Sequence, residues 1–437
     1  MRVSARQAAL EALIRCRRDG AWPGALIDSI SRKQELDHRD TALASRLCLG
    51  VLQNASLLDH YIDCYAQGKL EPKVRDVLRL GAYQLLFMDR IPARAAVSET
   101  VALAGDNGCA RASGLINAVL RRIADNRDHL PAIPGEGTAA YLAVRYSHPL
   151  WLAEYLVEKK GYAFTEAFFA ENNQPAPLTI QINTLSVSET DYLRALERAG
   201  IAVLSAGDPA GCIMLPGGSA SQLPGFEEGL FYVQDRAARL AVEIAAPEPG
   251  MQVLDACSCP GGKSFASAIR MRDEGGILAC DIHEKKLALV ENSAKRLNIS
   301  CIQTRAMDAR SHDAAMDGMF DLVIADVPCS GLGVIRKKPE IRSKSRESLT
   351  SLPEIQSAIL DNVCRYVTAG GVLLYSTCTI LEEENEDVVR SFLARHPEFA
   401  AEAFSVGTVR SEDGLYTFWP QNDGTDGFFA AKLRKQL

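Results

Sequence analysis

The sequence predicts a multidomain chain: an all-α N-terminal third, a small α+β middle module and a C-terminal α/β domain on a mainly parallel sheet. Three observations predict it. The 437 residues exceed what one typical core accommodates. Apolar residues recur at helical spacing through about residue 130, with few strand-like runs between them. From about residue 236, short apolar strands alternate with helical segments, the pattern of a doubly wound sheet.

In the first region, residues 1–130, Val74, Val77, Leu78, Gly81 and Leu85 form one helical stripe and Ile116, Val119, Leu120 and Ile123 another. Arg121 and Arg122 end the second of these helices. The helix dipole alone would favour them there, and RNA contact would use them equally well. Pro131-Ala132-Ile133-Pro134-Gly135-Glu136-Gly137 reads as a linker. The middle module, 138–235, returns to helix up to about residue 170. It then alternates as a strand over Leu178-Thr179-Ile180-Gln181-Ile182-Asn183, holds a helix at 189–199, and has a second strand-like run at Gly229-Leu230-Phe231-Tyr232-Val233. The third region, 236–437, has strands at 251–256, 276–281, 319–326 and 371–377 and helices at 263–272, 284–297, 353–367 and 385–395. The tail Gly427-Phe428-Phe429-Ala430-Ala431-Lys432-Leu433 reads as a final antiparallel strand at a sheet edge.

Composition bounds the function. The chain is 47% hydrophobic and 24% charged, ordinary for a globular protein in water. It has no apolar run of ~18 residues, and no apolar region follows the Met1-Arg2-Val3 start, so a cytoplasmic protein without membrane partner is expected. Twelve cysteines are scattered without a C-x-x-C pair, which favours reduced thiols over disulfides or a metal site. The net charge of −7 provides no global basic field, so a nucleic-acid partner would have to be met by local patches.

The chemistry centres on Met251-Gln252-Val253-Leu254-Asp255-Ala256-Cys257-Ser258-Cys259-Pro260-Gly261-Gly262-Lys263-Ser264, a buried strand, a tight turn and a helix start. Gly262-Lys263-Ser264 resembles the end of a P-loop, yet Cys257 stands where that motif requires a glycine. An ordinary strand–turn–helix corner would account for the stretch by itself. Asp281, about 20 residues further on, ends the next strand, where an acidic side chain meets ribose hydroxyls. The ligand is therefore read as a nucleoside without required phosphates. Asp308 sits where it could take an adenine edge, or simply cap a turn.

Two further strands end in thiols. Asp326-Val327-Pro328-Cys329-Ser330-Gly331 follows one, and Ser376-Thr377-Cys378-Thr379 closes another. Carboxyl ends of parallel strands form the active edge of such a sheet. Carbon 5 of cytosine is a poor nucleophile until a thiolate adds to carbon 6; the enamine-like ring can then attack an electrophilic methyl group. An aspartate near ring N3 would stabilise the developing charge. A second cysteine could take the carbon 5 proton. S-adenosylmethionine, a nucleoside without phosphates, suits both the Asp281 position and the failed P-loop.

These motifs resemble the signatures of RNA cytosine-5 methyltransferases. Leu80-Gly81-Ala82-Tyr83-Gln84-Leu85-Leu86 and Ile116-Asn117-Ala118-Val119-Leu120-Arg121-Arg122 are similar to a NusB-type RNA-binding domain. A NusB-like domain joined to a Rossmann-like methyltransferase domain resembles the RsmB (Sun/Fmu) family of small-subunit ribosomal RNA methyltransferases. The resemblance implies Cys378 as nucleophile, Cys329 as the thiol that helps release product, and Asp326 with the Pro328 carbonyl against the base and beside the methionine part of the donor. It implies Cys257, Ser258, Cys259, Pro260, Gly261, Gly262 and Lys263 around S-adenosylmethionine, Asp281 at its ribose and Asp308 at its adenine, with Lys263 also able to reach the target. Small-subunit ribosomal RNA is the implied partner, at a cytosine-967 type site, with no obligate protein partner and no metal.

The chain departs from the family pattern at Ser258-Cys259 (usually Ala-Ala), Ser264 (threonine), Gln181 (arginine) and Glu382 (proline), and a tryptophan usual after Arg342 is missing. The densest basic run, including Arg336, Lys337, Lys338 and Arg342, directly follows the Asp326–Cys329 motif. It is read as an RNA backbone contact in preference to a merely solvated face. The same chemistry on transfer RNA or another ribosomal site, or a non-catalytic assembly protein on this fold, are the alternatives.

Overall fold

The computed structural model describes residues 4–437; the Met1-Arg2-Val3 start lies outside the described residues. The chain divides into two compact units: the chain up to Asn173 with Lys338–Arg346, and Gln174–Lys337 with Glu347–Leu437.

The first unit is helical: α1 (Ala5–Asp19), α2 (Pro23–Lys33), α3 (His38–Gln53), α4 (Ala55–Tyr65), α5 (Pro72–Phe87), α6 (Ala93–Asp106), α7 (Ser113–Asp125), α8 (Ala139–Arg145), α9 (Leu150–Lys160) and α10 (Tyr162–Asn172). Local signals set several starts. Ser4 accepts a hydrogen bond from the Gln7 N–H, Asp37 from the Asp40 N–H and Thr138 from the Tyr141 N–H, each satisfying a first-turn donor. The predicted stripes on α5 and α7 are buried, and they join Leu10, Leu47 and Leu58 in one core. Arg121 and Arg122 are exposed, off that stripe. Helices α8–α10 fall in this compact unit, whereas the sequence reading grouped them with the middle module.

The second unit contains two main sheets. The smaller is antiparallel, in the order β2-β3-β1-β4, with β1 (Leu178–Ile182), β2 (Ser205–Ala206), β3 (Cys212–Leu215) and β4 (Phe231–Val233). Helix α11 (Glu189–Arg198) covers it through Tyr192 and Leu196, which pack with Ile180, Ile213 and Phe231.

The larger sheet carries the chemistry. Its strands are β5 (Gln252–Asp255), β6 (Gly276–Asp281), β7 (Ile302–Ala306), β8 (Phe320–Asp326), β9 (Val367–Thr377), β10 (Phe399–Ala401), β13 (Leu415–Phe418) and β14 (Phe428–Lys435). Strands β11 (Phe404–Val406) and β12 (Val409–Ser411) form a separate hairpin. The order is β10-β14-β9-β8-β5-β6-β7, with β13 also paired to β14. Strands β5 to β9 run parallel, and β14 inserts antiparallel beside β9. The tail is thus antiparallel as expected, but it is interior and not an edge. Strand β9 also begins at Val367, earlier than expected, because α15 (Leu352–Val363) stops four residues before it.

Both faces of the sheet are covered, by α12 (Arg236–Ala245), α13 (Gly262–Arg270), α14 (Glu284–Arg296), α15 and α16 (Glu386–Arg395); the short α17 (Pro420–Asp423) follows β13. Side chains alternate accordingly. Leu322, Ile324, Leu374 and Phe428 enter one core, and Val323, Ala325, Tyr375 and Phe429 the other. Gly333 and Gly427 let two loops touch: a Cβ on Gly333 would lie 1.9 Å from the Gly427 carbonyl oxygen. Among the described residues, no helix is long and apolar enough to cross a membrane.

Candidate active site

The parallel strands β5, β6, β8 and β9 end at Asp255, Asp281, Asp326 and Thr377, so their carboxyl ends share one edge. Asp326 lies opposite Ser376 in the β8–β9 register. The Ser376 hydroxyl donates to Asp326 Oδ1 at 2.8 Å. Lys263, in the first turn of α13, places its ammonium 2.6 Å from Asp326 Oδ2 and 5.0 Å from the centroid of the Phe428 ring. Lys263 is 8% exposed and Asp326 33%, so the cation is enclosed while the carboxylate still reaches the open edge.

The two strand-end thiols meet. Cys329 Sγ lies 3.3 Å from Cys378 Sγ. Its hydrogen bond with Cys378, its burial and the nearby Glu384 carboxylate hold the Cys329 thiol well above the usual thiol range. At this separation the two sulfurs can share one proton, so that the thiolate of one is stabilised by the S–H of the other.

The segments bearing these thiols are tied together beneath the surface. Gln356 Nε2 donates to the Pro328 carbonyl at 3.1 Å and to Glu384 Oε2 at 2.8 Å. The Ser330 N–H donates to the same oxygen at 2.9 Å, and Ser330 and Thr379 share a hydroxyl hydrogen bond of 2.6 Å. The Gly333 N–H donates to the Cys378 carbonyl at 3.0 Å.

The glycine turn follows β5. The Gly261 N–H donates to the Ser258 carbonyl at 2.6 Å, closing the turn. Gly261 has φ +106°, and a Cβ there would lie 2.5 Å from the Phe265 ring. The Cys259–Pro260 bond is cis. Asp255 accepts from the Ser264 hydroxyl at 2.7 Å, and burial pushes its carboxyl up to about 7. Burial raises the Cys257 thiol, and burial with the Asp281 charge pushes Cys259 up to about 12. Neither is favoured as a thiolate. Asp281 accepts the His283 N–H at 2.8 Å beyond the end of β6. Asp308 accepts from the Arg310 N–H at 3.0 Å and from its guanidinium at 2.7 Å, bonds that lower its pKa. It acts as a turn cap; contact with an adenine would require it to share or release Arg310.

This edge suits a cationic nucleoside. Asp281 would repel a diphosphate, and the nearby cations Lys263 and Arg310 are already paired with Asp326 and Asp308. Asp255 Oδ1 and Ser258 Oγ are buried polar atoms without a partner in the chain. These groups fit a donor carrying a sulfonium and an amino group in place of phosphates.

The basic run is different from its expected role. Arg342 belongs to the helical unit, where its guanidinium bonds the carbonyl oxygens of Gln53 (2.9 Å), Tyr146 (2.7 Å), Ser147 (3.1 Å) and Asn172 (3.3 Å) and Asn173 Oδ1 (2.7 Å). It is 9% exposed and serves the fold, so the reading as a phosphate contact is corrected. Lys337 lies between Asp235 (2.7 Å) and Asp426 (2.6 Å), which also removes it from that role. Arg336 donates to the Pro175 carbonyl at 3.1 Å. Lys338 is exposed, 5.1 Å from the Trp22 ring centroid. Gln181, at the family's arginine position, is buried and donates to the Gln234 carbonyl at 3.2 Å. Sequence reasoning missed Ser376, Gln356, Thr379 and Glu384.

A mainly parallel sheet with an acid-lined glycine turn at its carboxyl edge is the architecture of nucleoside-binding α/β domains, S-adenosylmethionine-dependent methyltransferases among them. The family model described as 16S rRNA methyltransferase RsmB/F matches residues 242–434. The NusB family model matches residues 3–125, and an RsmF/B-like ferredoxin-like domain matches residues 148–220. The probable ribosomal RNA small subunit methyltransferase B of Bacillus subtilis is 32% identical, covering 100% of this chain and 99% of its own. The ribosomal RNA small subunit methyltransferase B of Vibrio cholerae is 36% identical over 92% of each chain. The crystal structure of PH0851 superposes with a TM-score of 0.82 at 26% identity over 100% of both chains. The chain belongs to the RsmB/F family of 16S rRNA methyltransferases. It is an S-adenosylmethionine-dependent rRNA methyltransferase with a NusB-type helical domain and a ferredoxin-like middle module.

Proposed function

We propose that the chain methylates carbon 5 of a cytosine in 16S ribosomal RNA, at a cytosine-967 type site, through a covalent adduct between Cys378 and carbon 6. The observation that carries this reading is the 3.3 Å approach of Cys329 and Cys378 at the edge that also holds Asp326. A methyl transfer to a heteroatom would need no second thiol beside the first.

Cys378 attacks carbon 6 as a thiolate stabilised by the Cys329 S–H. The S–C6 bond forms, and the C5=C6 pair is pushed through carbon 4 toward ring N3, where the Lys263 ammonium offsets the developing negative charge while the Asp326 carboxylate paired with it accepts from the exocyclic amino group of the base. S-adenosylmethionine supplies the electrophilic methyl group. Carbon 5 takes it and still carries a proton. Cys378 is now a neutral thioether, so its hydrogen bond, the largest influence holding the proton on Cys329, is lost. Cys329 ionises to solvent and removes the carbon 5 proton. The C5=C6 bond re-forms, the S–C6 bond breaks, and the departing Cys378 thiolate again accepts the Cys329 S–H. Asp281 would hold the donor's ribose, the segment Cys257–Lys263 would enclose it, and Asp308 would meet the adenine on sharing or releasing Arg310. A base in a helix would have to be extruded to reach Cys378, which favours a loop target.

The test is transfer of a labelled methyl group from S-adenosylmethionine to unmodified 16S rRNA, with bisulfite sequencing to locate the product. One labelled cytosine in a loop is expected. Label at another atom or base would overturn the chemistry, and label on transfer RNA alone would overturn the substrate.

A further inference from the structure

Glu384 has no part in the chemistry above, yet it is 1% exposed and lies directly beneath the thiol pair. Its Oε2 accepts from the Ser330 N–H at 2.9 Å and from Gln356 Nε2 at 2.8 Å. Its Oε1 accepts from the Thr379 hydroxyl at 3.3 Å, and its main-chain carbonyl from the Tyr375 hydroxyl at 2.5 Å. Ser330 follows Cys329 and Thr379 follows Cys378, so one carboxylate grips the residue next to each sulfur. Gln356 extends the grip to the Pro328 carbonyl, on the other side of Cys329. Burying a carboxylate is costly unless its oxygens are matched by donors, and here the donors come from both cysteine loops.

We infer that Glu384 is a positioning residue that holds Cys329 where it can take the carbon 5 proton from an adduct on Cys378. The inference rests on the proposed two-thiol reaction. Cys378 continues the end of β9, in register with β8, and keeps much of its placement without Glu384. Cys329 lies in a loop whose placement depends on the Ser330 and Pro328 links. Loss of Glu384 should therefore impair release more than attack.

The experiment compares Glu384→Ala, Glu384→Gln and Cys329→Ala for turnover on 16S rRNA, donor affinity, and RNA that stays attached to protein in denaturing gels. Glu384→Ala is expected to lower kcat by about a hundredfold, the scale of a misplaced catalytic group, with donor binding unchanged and covalent adduct accumulating. Glu384→Gln can still accept from Ser330 and Gln356 while its amide donates to the Thr379 oxygen. It should recover turnover to within about tenfold of the parent enzyme and accumulate little adduct. Protein that had merely lost its fold would form no adduct. If Cys329→Ala traps adduct and folded Glu384→Ala does not, the Glu384 inference is overturned and the two-thiol reaction stands. If Cys329→Ala itself traps none, the two-thiol reading fails. Should Glu384→Ala not fold, Gln356→Met, which cuts the Pro328 and Glu384 links at similar volume, carries the test: it is expected to trap adduct, and parental turnover without adduct overturns the inference.

Discussion

Lys263 Nζ lies 2.6 Å from Asp326 Oδ2, joining the first turn of α13 to the end of β8. One contact thus links the glycine turn proposed to enclose the donor to the carboxylate proposed to face the base. Lys263→Met keeps the buried stem and removes the charge. It is expected to cost about 2 kcal/mol of stability, as for a hydrogen bond to a charged group. It should also lower kcat by roughly a hundredfold, through lost charge stabilisation and a displaced Asp326. Denaturant titration and single-turnover kinetics check the two effects. In a double-mutant cycle with Asp326→Asn the losses should not add, because the two residues share one contact.

The thiol pair separates two steps. Cys378→Ala removes the nucleophile and should abolish turnover while leaving donor affinity intact. Cys329→Ala removes the proton acceptor together with the S–H that stabilises the Cys378 thiolate, so attack slows but release suffers most. A general base contributes about a hundred- to ten-thousandfold, so turnover should fall by that amount while attack continues and adduct accumulates. Denaturing gels of each variant with labelled RNA show which step has stopped. Adduct from Cys378→Ala would refute the nucleophile assignment.

The parallel strands were legible in the sequence because they are buried on both faces. Such strands read as unbroken apolar runs, as in Leu322–Ala325 and Val372–Tyr375. Their carboxyl ends then located Asp326, Cys329 and Cys378. Strand β7 was harder to see because it is an edge strand with exposed Gln303, Arg305 and Ala306. The interior place of β14 depends on pairing with β9, β10 and β13, which no local pattern encodes. The start of β9 was hidden by Thr368-Ala369-Gly370-Gly371, which reads as a turn. Glu384 was hidden in Glu382-Glu383-Glu384-Asn385-Glu386, an acidic run that a helix N-terminus explains on its own. Only burial distinguishes the member that grips the cysteine loops. The reverse applies to Arg342: its type suggested phosphate, and only the surrounding carbonyls show otherwise.

Arg342 gives a prediction opposite to that for an RNA contact. Arg342→Met would remove a donor from the carbonyl oxygens of Gln53, Tyr146, Ser147 and Asn172, the last two in buried contacts. The expected cost is about 3 kcal/mol or more, seen as a lower denaturation midpoint. Arg342→Lys should rescue little, because an ammonium cannot reproduce the planar fork. The folded fraction should bind RNA with an unchanged salt dependence, since no phosphate contact is lost. A shallower salt slope at unaltered stability would restore the phosphate-contact reading.

Asp255 sets a pH dependence whose sign follows from its burial. Its carboxyl is pushed up to about 7 in the folded protein, from an ordinary value of 3.8. Below pH 3.8 it is protonated in both states and contributes no pH dependence. Between that point and about 7 the folded state binds more protons than the unfolded state, so stability falls as pH rises. Above about 7 the full cost of an ionised buried carboxylate is present, on the order of 4 kcal/mol for a shift of this size. Asp426, raised by its burial and by the neighbouring Asp235 charge, adds to the same trend. Asp255→Asn keeps an oxygen for the Ser264 hydroxyl and removes the ionisation. The variant should therefore lose less stability than the parent between pH 5 and pH 8, with the slope reduced further by adding Asp426→Asn. Denaturant titrations at the two pH values measure both slopes. An Asp255→Asn slope equal to the parent's would mean that the carboxyl ionises normally within the fold.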